Sequence, residues 1–357
     1  VKCCLGRLMR PLRMLSSSAF VRRSLTVLAS ASLPVVKLPP GLVNQTPLLQ
    51  SLPLSAATGA SVWLKMDALQ PSGSFKDRGM AFMCATLQKR GVTDLISSSG
   101  GNAGLAASAA GRKLGMRVRV IVPETTKKIM LDKIKAEGAE VEVHGANWNA
   151  ADERARQLVA ESDHAAYVPP YEDPLLWEGH SSLVDELAMA GVKPDAIVLS
   201  VGGGGLLCGV IIGLQRHGWD DVTVLTAETE GAACFARAHR AGSAVRLDGI
   251  TSVATSLGAL QASDTAIRLA QEHPTWAYTV TDYEAVSACA SLLDDHRVLV
   301  EPACGAALAL LYSEKQRQAI APFAGKTVVV IVCGGGGVNA DILDQWKRDV
   351  LLKDDKS

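Results

Sequence analysis

Residues 195–216 read Asp195-Ala-Ile-Val-Leu-Ser-Val-Gly-Gly-Gly-Gly-Leu-Leu-Cys-Gly-Val-Ile-Ile-Gly-Leu-Gln-Arg216. The first apolar run is typical of a buried parallel strand, and the run after the glycines is typical of a helix. Glycines between a strand and a helix N-terminus present bare N–H groups to an anion such as a phosphate. No Gly-Lys-Ser/Thr follows, and the dinucleotide spacing G-x-G-x-x-G is absent. The segment therefore predicts an α/β fold with a phosphate site for another kind of cofactor, or else a glycine turn needed only for packing.

The alternation of strand and helix continues on both sides of this segment. Short β-branched runs predict strands at 94–98, 118–123, 140–144, 195–201, 222–227 and 326–332. Alanine-rich or amphipathic runs predict helices at 103–114, 127–137, 149–161 and 206–216. This βαβ order favours one doubly wound, mostly parallel sheet, or two of them. Two further glycine clusters, at 100–104 and 334–337, also follow predicted strands, where ligands bind in such sheets.

The composition argues against several classes of protein. The chain has 357 residues, of which 48% are hydrophobic and 20% charged, with a mean hydropathy of +0.17. Its 36 basic and 36 acidic residues balance, so no overall field favours nucleic acid or an anionic membrane. No apolar run approaches the ~20 residues of a membrane span. Eight cysteines without a CxxC pair predict free thiols in a reducing compartment rather than a disulfide scaffold or a zinc site.

The N-terminal segment differs in composition from the rest of the chain. Residues 1–65 contain no Asp or Glu, and Arg and Ser are frequent before residue 37. Such a composition is typical of a mitochondrial transit peptide. We therefore expect residues 1–37 to be a transit peptide and the protein to be mitochondrial. The alternative is a disordered leader or untranslated sequence, with a cytoplasmic protein.

Several motifs resemble those of one group of enzymes. The segment Pro71-Ser-Gly-Ser-Phe-Lys76-Asp-Arg-Gly79, with the glycine loops at 99–104 and 202–205, resembles fold-type-II pyridoxal-phosphate (PLP) enzymes, the tryptophan synthase β-like group. Four more motifs narrow the resemblance to animal L-serine dehydratases and their serine-dehydratase-like relatives: Pro169-Pro-Tyr-Glu-Asp-Pro-Leu-Leu-Trp-Glu-Gly-His180, Ser200-Val-Gly-Gly-Gly-Gly-Leu-Leu-Cys-Gly209, Ile250-Thr-Ser-Val-Ala254 and Leu299-Val-Glu-Pro-Ala-Cys-Gly-Ala-Ala307.

This resemblance implies a role for each part of a PLP site. Lys76 would hold the cofactor aldehyde as a Schiff base and, once freed as an amine, would remove the substrate Cα proton. We expect cationic surroundings to lower its pKa. Phe75 and Ser256 would face the two sides of the ring. The phosphate would rest on the amides of Gly202, Gly203, Gly204 and Gly205. The substrate carboxylate would be bound by Ser99, Gly101, Asn102 and Ala103, with Asn102 also bonding the ring hydroxyl.

The resemblance also implies a partner for the ring nitrogen and a cation site. Cys333 matches the position that hydrogen-bonds the pyridine nitrogen, although a buried structural cysteine is the alternative. A thiol cannot keep that nitrogen protonated, which favours expulsion of the β-hydroxyl over transamination. L-serine would thus give pyruvate and ammonia, and L-threonine 2-oxobutanoate. Glu228 resembles the family's ligand for a monovalent cation, here K⁺, with the backbone carbonyls of Gly202, Ala232, Leu257 and Ala259.

The resemblance covers about residues 38–344 and implies two domains of open, twisted, mostly parallel sheets flanked by helices. A small domain, 68–172, would carry Lys76 and the carboxylate loop. A large PLP-binding domain, 38–67 with 173–348, would carry the phosphate loop and Cys333, and residues 349–357 would form a tail. The expected partners are a small amino-acid substrate and a second copy in a homodimer, with neither nucleic acid nor a membrane.

Departures from the family pattern keep other activities open. Asp77 stands where these dehydratases usually have an aliphatic residue, and Lys-Asp-Arg-Gly is more like threonine synthases. Gly336-Gly337-Val-Asn339 replaces the usual Ser-Asn or Asn-Asn after the paired glycines, Glu230 adds a charge beside the proposed cation ligand, and the leader is atypical for what is usually a cytosolic enzyme. Serine racemases of this fold place an acid, a Ser, just before Gly-Asn, where this chain has Gly100, so elimination is favoured over racemisation. The alternatives are a serine racemase, a threonine-synthase-like enzyme, a catalytically inactive PLP-fold binder and, more distantly, a nicotinamide oxidoreductase.

Overall fold

The structure, a computed structural model, describes residues 35–352 as two β-sheets covered by helices. In chain order the strands are β1 (Leu48–Gln50), β2 (Ser61–Lys65), β3 (Asp94–Ser97), β4 (Arg117–Val122), β5 (Glu140–Val143), β6 (Ala165–Tyr167), β7 (Ala196–Ser200), β8 (Thr223–Thr229), β9 (Thr275–Val280) and β10 (Thr327–Ile331). The α-helices are α1 (Leu52–Thr58), α2 (Lys76–Lys89), α3 (Asn102–Leu114), α4 (Lys128–Ala136), α5 (Trp148–Ala160), α6 (Pro174–Met189), α7 (Gly205–Arg216), α8 (Cys234–Ala241), α9 (Asp264–Glu272), α10 (Asp282–His296), α11 (Pro302–Tyr312) and α12 (Ala340–Trp346).

The larger sheet has six strands in the order β1-β2-β10-β7-β8-β9. Only β1 and β2 pair in antiparallel fashion, and every other neighbour is parallel. The central strands β7 and β10 are almost wholly buried because helices cover both of their faces, which explains their continuous apolar sequences. The predicted class, a mostly parallel α/β fold, is confirmed.

The smaller sheet has four parallel strands in the order β5-β4-β3-β6. All four lie within residues 68–172, the range predicted for a small domain, and the six strands of the larger sheet lie outside it. The contacts of the described residues nevertheless join both sheets into one compact unit. The domain boundaries therefore stay a prediction, and the expected leader at 1–37 lies almost entirely outside the described residues.

A buried ionic cluster fixes the segment that carries Lys76. Arg78, in the first turn of α2, donates from Nε to Asp67 Oδ2 over 2.7 Å and from Nη1 to Glu186 Oε1 over 2.6 Å. Lys65 at the end of β2 also pairs with Glu186. All four side chains are buried, two positive and two negative, so each charge has an opposite partner out of water. The cluster thereby connects β2, α2 and α6.

Two expectations from the composition can be compared with the described residues. Between residues 35 and 352, no helix combines the length and apolarity needed to cross a membrane. Six cysteines in this range are free and buried, as predicted: Cys84, Cys208, Cys234, Cys289, Cys304 and Cys333. Cys3 and Cys4 lie outside it.

Candidate active site

The loops at the carboxyl ends of the parallel strands surround one cavity of about 690 Å³. The predicted cofactor and carboxylate residues all line it: Phe75, Lys76, Ser99, Gly101, Asn102, Ala103, Gly202, Gly203, Gly204, Gly205, Ser256 and Cys333. Of the predicted cation ligands, Gly202, Leu257 and Ala259 line the cavity as well, whereas Glu228 and Ala232 do not. Residues far apart in sequence therefore meet at one place.

Lys76 is the first residue of α2 and points into this cavity. Its Nζ donates to the carbonyl of Pro170 over 2.5 Å and lies 5.0 Å from the centre of the Phe75 ring. Burial lowers the pKa of the Lys76 amine to about 8, because the charged form loses solvation. The expected cause was cationic surroundings, which is wrong: desolvation dominates, and nearby Cys333 acts in the opposite direction. The amine is accordingly more nucleophilic near neutral pH than an ordinary lysine.

Backbone hydrogen bonds hold the Lys76 segment against the loop that follows β10. The N–H of Phe75 donates to the carbonyl of Cys333 over 3.1 Å, and the N–H of Gly335 donates to the carbonyl of Gly73 over 2.9 Å. At this crossing Gly334 has φ +90°, and a Cβ there would lie 2.2 Å from the Gly73 carbonyl oxygen. Only glycine fits this close approach. The amine at 76 and the thiol at 333 are thus kept at the same end of the cavity.

The four glycines at 202–205 connect β7 to the N-terminus of α7. Side chains would not fit there: a Cβ on Gly203 would lie 2.3 Å from the Tyr171 ring, and Gly204 has φ +101°. The bare backbone N–H groups and the positive end of a twelve-residue helix are the features that bind phosphate in proteins. The alternative of a packing turn also holds in part, because Tyr171 packs directly on the loop.

The loop from Ser99 to Ala103 enters α3 at a similar helix N-terminus. The Gly101 N–H donates to Ser99 Oγ over 3.3 Å, and no side chain caps the N-terminus of α3. At Gly100 a Cβ would lie 2.6 Å from Thr126 Cγ2 and 2.7 Å from its Oγ1. A serine at position 100 would therefore overlap Thr126, which argues further against racemase chemistry at this position.

Cys333 is buried at the end of the strand β10, where its sulfur has two polar neighbours. Its Sγ lies 3.5 Å from Ser200 Oγ. A hydrogen bond with the Cys304 thiol lowers the pKa of Cys333, whereas burial, and then this same bond, raises the pKa of Cys304. Of the two thiols, only Cys333 lines the cavity.

Glu228 lies within β8, one residue before its end. Its two carboxylate oxygens accept the N–H groups of Phe235 over 2.9 Å and Ala236 over 2.6 Å at the start of α8. Burial still raises the pKa of Glu228 to about 8, against the effect of these donors. The Cys234 thiol donates to the carbonyl of Gly202 over 3.6 Å, which brings the Glu228 region next to the phosphate loop.

Sequence reasoning gave Glu301 no chemical role, yet its carboxylate lines the cavity. It accepts hydrogen bonds from Ser256 Oγ, from Asn102 Nδ2 over 3.2 Å, and from the Gly337 N–H over 2.6 Å. Cβ atoms on Gly335 or Gly337 would lie 2.3 Å and 2.8 Å from Glu301 atoms. Gly337, which departs from the family pattern, and Gly335 thus make room for this carboxylate. The glycine run at 334–337 could have indicated that another group approaches this loop closely, but not that the group is the Glu301 carboxylate.

Asp77 and His180, which belong to the sequence motifs, have contacts that indicate a structural role. Asp77 is buried and accepts the Ser72 N–H over 2.7 Å, which closes the turn before Lys76, and burial raises its pKa to about 6. His180 packs against Phe75, with ring centres 4.9 Å apart. Burial and the charges of Lys76 and Arg78 hold its pKa well below the usual value, so His180 is a neutral packing residue.

Comparison with known proteins identifies the family of this site. The sequence profile described as "Pyridoxal-phosphate dependent enzyme" matches residues 40–334. The chain belongs to this family of PLP-dependent enzymes. It is 47% identical over 311 residues to the human L-serine dehydratase/L-threonine deaminase, covering 86% of this chain and 95% of that protein. It is 48% identical over 307 residues to the human serine dehydratase-like protein, covering 85% and 93%.

A solved structure agrees with the family assignment. The crystal structure of a fungal L-serine ammonia-lyase from Rhizomucor miehei superimposes with a TM-score of 0.81 and 36% sequence identity, over 86% of this chain and 98% of that chain. The cofactor of a PLP-dependent family is pyridoxal phosphate, and the cavity suits it. A glycine loop at a helix N-terminus matches its phosphate, and the Lys76 amine, with its lowered pKa, matches its aldehyde.

Proposed function

We propose that this chain is an L-serine/L-threonine ammonia-lyase, which eliminates water from L-serine to release pyruvate and ammonia and converts L-threonine to 2-oxobutanoate. The names of the human relative and of the fungal enzyme describe this chemistry. The observation that carries the proposal is the arrangement of one cavity. A lysine amine with a pKa of about 8, the sulfur of Cys333 and a glycine loop line it together, with a glycine at position 100, where a racemase would need an acid.

Lys76 has two successive tasks in this proposal. Pyridoxal phosphate, when bound, supplies an aldehyde that takes up the substrate amine and an electron sink that acidifies the Cα hydrogen. Lys76 first anchors that aldehyde and, once released as an amine, accepts the Cα proton at Nζ. A pKa near 8 leaves enough unprotonated amine at neutral pH for this transfer. Phe75, whose ring lies 5.0 Å from Nζ, and Ser256 bound the space on either side of the cofactor ring.

Each of the two loops at a helix N-terminus binds one anionic group, either the cofactor phosphate or the substrate carboxylate. The N–H groups of Gly202, Gly203, Gly204 and Gly205 hold the phosphate at α7. The substrate carboxylate lies at the N-terminus of α3, held by Ser99, Gly101, Asn102 and Ala103. Cys333 faces the ring nitrogen and, as a thiol, leaves it unprotonated. Both anionic groups are therefore held at the N-terminus of a helix.

We propose a K⁺ site behind the phosphate loop as part of this function. Glu228 is a buried carboxylate that receives only two backbone N–H bonds, and a cation beside it would offset the burial that raises its pKa. The carbonyls of Gly202, Ala232, Leu257 and Ala259 are the further oxygen ligands. Such a cation would stiffen the loop at 202–205 without touching substrate.

Two parts of the proposal rest on the sequence resemblance and composition alone. The protein acts as a homodimer, which sedimentation velocity of the PLP-loaded protein would test. It is imported into mitochondria by residues 1–37, which a fluorescent fusion carrying those residues would test. A monomer in the first experiment, or cytoplasmic fluorescence in the second, contradicts that part and leaves the catalytic proposal in place.

The deciding experiment measures keto-acid release by the PLP-loaded protein. Pyruvate from L-serine and 2-oxobutanoate from L-threonine are followed with lactate dehydrogenase and NADH, and D-serine formation is followed by chiral chromatography. We expect keto acid from both substrates, no D-serine, and no keto acid from Lys76→Ala. Lys193→Ala, at an exposed lysine paired with Asp221, is the matched control and should keep full activity. Absence of keto acid from the wild-type protein contradicts the proposal.

A further inference from the structure

Three hydrogen-bond donors from separate loops converge on the Glu301 carboxylate. The Gly337 N–H bonds Oε1, while the Ser256 hydroxyl and the Asn102 side-chain amide both bond Oε2. Glu301 itself is the residue that precedes α11. Both oxygen positions of Glu301 therefore face donors. A side-chain amide in its place has one acceptor atom and would put an N–H at one of these two positions, so that a donor faces a donor.

A neighbouring backbone N–H group fixes the orientation of the Asn102 side-chain amide. The Gly336 N–H, which can only donate, lies 2.7 Å from one end of this amide. That end must be the oxygen, so the nitrogen faces Glu301 and donates to it. One amide hydrogen of Asn102 is used in this way, and the other is free to bond a group in the cavity.

The same carboxylate fixes the polarity of Ser256. Because the Ser256 hydroxyl donates its hydrogen to Glu301, its oxygen keeps lone pairs for a donor inside the cavity. Glu301 thus leaves Asn102 to act as a donor and Ser256 to act as an acceptor. Both residues line the cavity where PLP is expected to bind.

We infer that Glu301 is a positioning residue for PLP: its carboxylate fixes the hydrogen-bonding polarity of Asn102 and Ser256 before the cofactor arrives. This inference rests on the proposed function, since it takes Asn102 and Ser256 to contact the cofactor. It assigns Glu301 no proton transfer. It also explains why glycines surround the carboxylate, because side chains at 335 or 337 would displace it.

The test compares a change of shape with a change of charge at position 301. Glu301→Gln keeps the shape but presents an N–H toward the Asn102 amide nitrogen or the Gly337 N–H, so donor faces donor. Glu301→Asp keeps two acceptor oxygens on a shorter side chain. The readout is the dissociation constant for PLP, from absorbance titration of cofactor-free protein. We expect Glu301→Gln to weaken PLP binding by about 10- to 100-fold, and Glu301→Asp by less.

A double-mutant cycle then asks whether Glu301 acts through Asn102. In the Asn102→Ala background, we expect Glu301→Gln to weaken PLP binding by much less than it does alone, roughly three-fold or under. Glu284→Gln is the matched control, since Glu284 is also buried and accepts several hydrogen bonds, from Thr281, Ser313 and Gln316, but does not line the cavity. It should lower the unfolding temperature and leave PLP affinity unchanged.

The outcomes separate this inference from the proposed function. Wild-type affinity for PLP in Glu301→Gln, a greater loss in Glu301→Asp than in Glu301→Gln, or fully multiplicative effects in the cycle would each overturn the positioning role. If Glu301→Gln does not fold, Glu301→Asp with and without Asn102→Ala completes the same cycle. A wild-type protein that binds PLP but releases no keto acid contradicts the proposed function while the affinity measurements still test Glu301.

Discussion

The lowered pKa of Lys76 predicts how fast the cofactor-free protein captures PLP at different pH values. Only the unprotonated amine attacks an aldehyde. With a pKa of about 8, roughly one Lys76 amine in ten is unprotonated at pH 7. An ordinary lysine, at about 10.5, would have roughly one in three thousand, a difference of about 300-fold. Because the pKa is lowered, the reactive fraction rises through pH 8 and levels off about two pH units before that of an ordinary lysine.

Stopped-flow absorbance of cofactor-free protein mixed with limiting PLP, from about pH 6 to 10, measures this dependence. The Lys76→Ala protein supplies the background from every other amine and is subtracted at each pH. We expect the Lys76-dependent rate to reach half its maximum near pH 8. A midpoint above about 10, or capture that survives the loss of Lys76, refutes the argument from burial.

Three further substitutions test the phosphate loop, the buried ionic cluster around Arg78 and the cation site. Gly203→Ala should weaken PLP binding and lower stability by about 1–3 kcal/mol, because its methyl meets the Tyr171 ring, whereas Gly249→Ala, in open space, should do neither. Arg78→Met should lower the urea unfolding free energy by about 3–5 kcal/mol because it unpairs buried carboxylates; unchanged unfolding contradicts this. Glu228→Gln should abolish any rise in unfolding temperature that KCl gives over LiCl; a retained rise contradicts the cation site.

Most regular elements could be predicted from local sequence because their apolar runs are long. Every strand and helix named from the sequence is present, with ends shifted by no more than two residues. The strands that were not predicted are short or lie near an edge, such as β1 with three residues, or carry a charge, such as β2 with Lys65. Lys65 is polar in sequence but buried in the structure because Glu186 pairs with it, and no local pattern reveals such a partner.

The site could be predicted where a motif is local and could not where it depends on distant loops. A glycine run between a strand and a helix indicates an anion site by itself, and so the loop at 202–205 was found. The role of Glu301 could not be predicted, because its three hydrogen-bond donors come from positions 45, 199 and 36 residues away. The cause of the Lys76 pKa shift was missed for the same reason, because burial depends on the whole cavity.

The central claim is that Lys76 is the covalent anchor for pyridoxal phosphate. Borohydride reduction of the PLP-loaded protein, followed by proteolysis and tandem mass spectrometry, locates that attachment directly. The account predicts one phosphopyridoxyl group per chain, on Lys76 within the Pro71–Gly79 segment. A stable adduct on another lysine, or a protein that takes up no phosphopyridoxyl group, would contradict it.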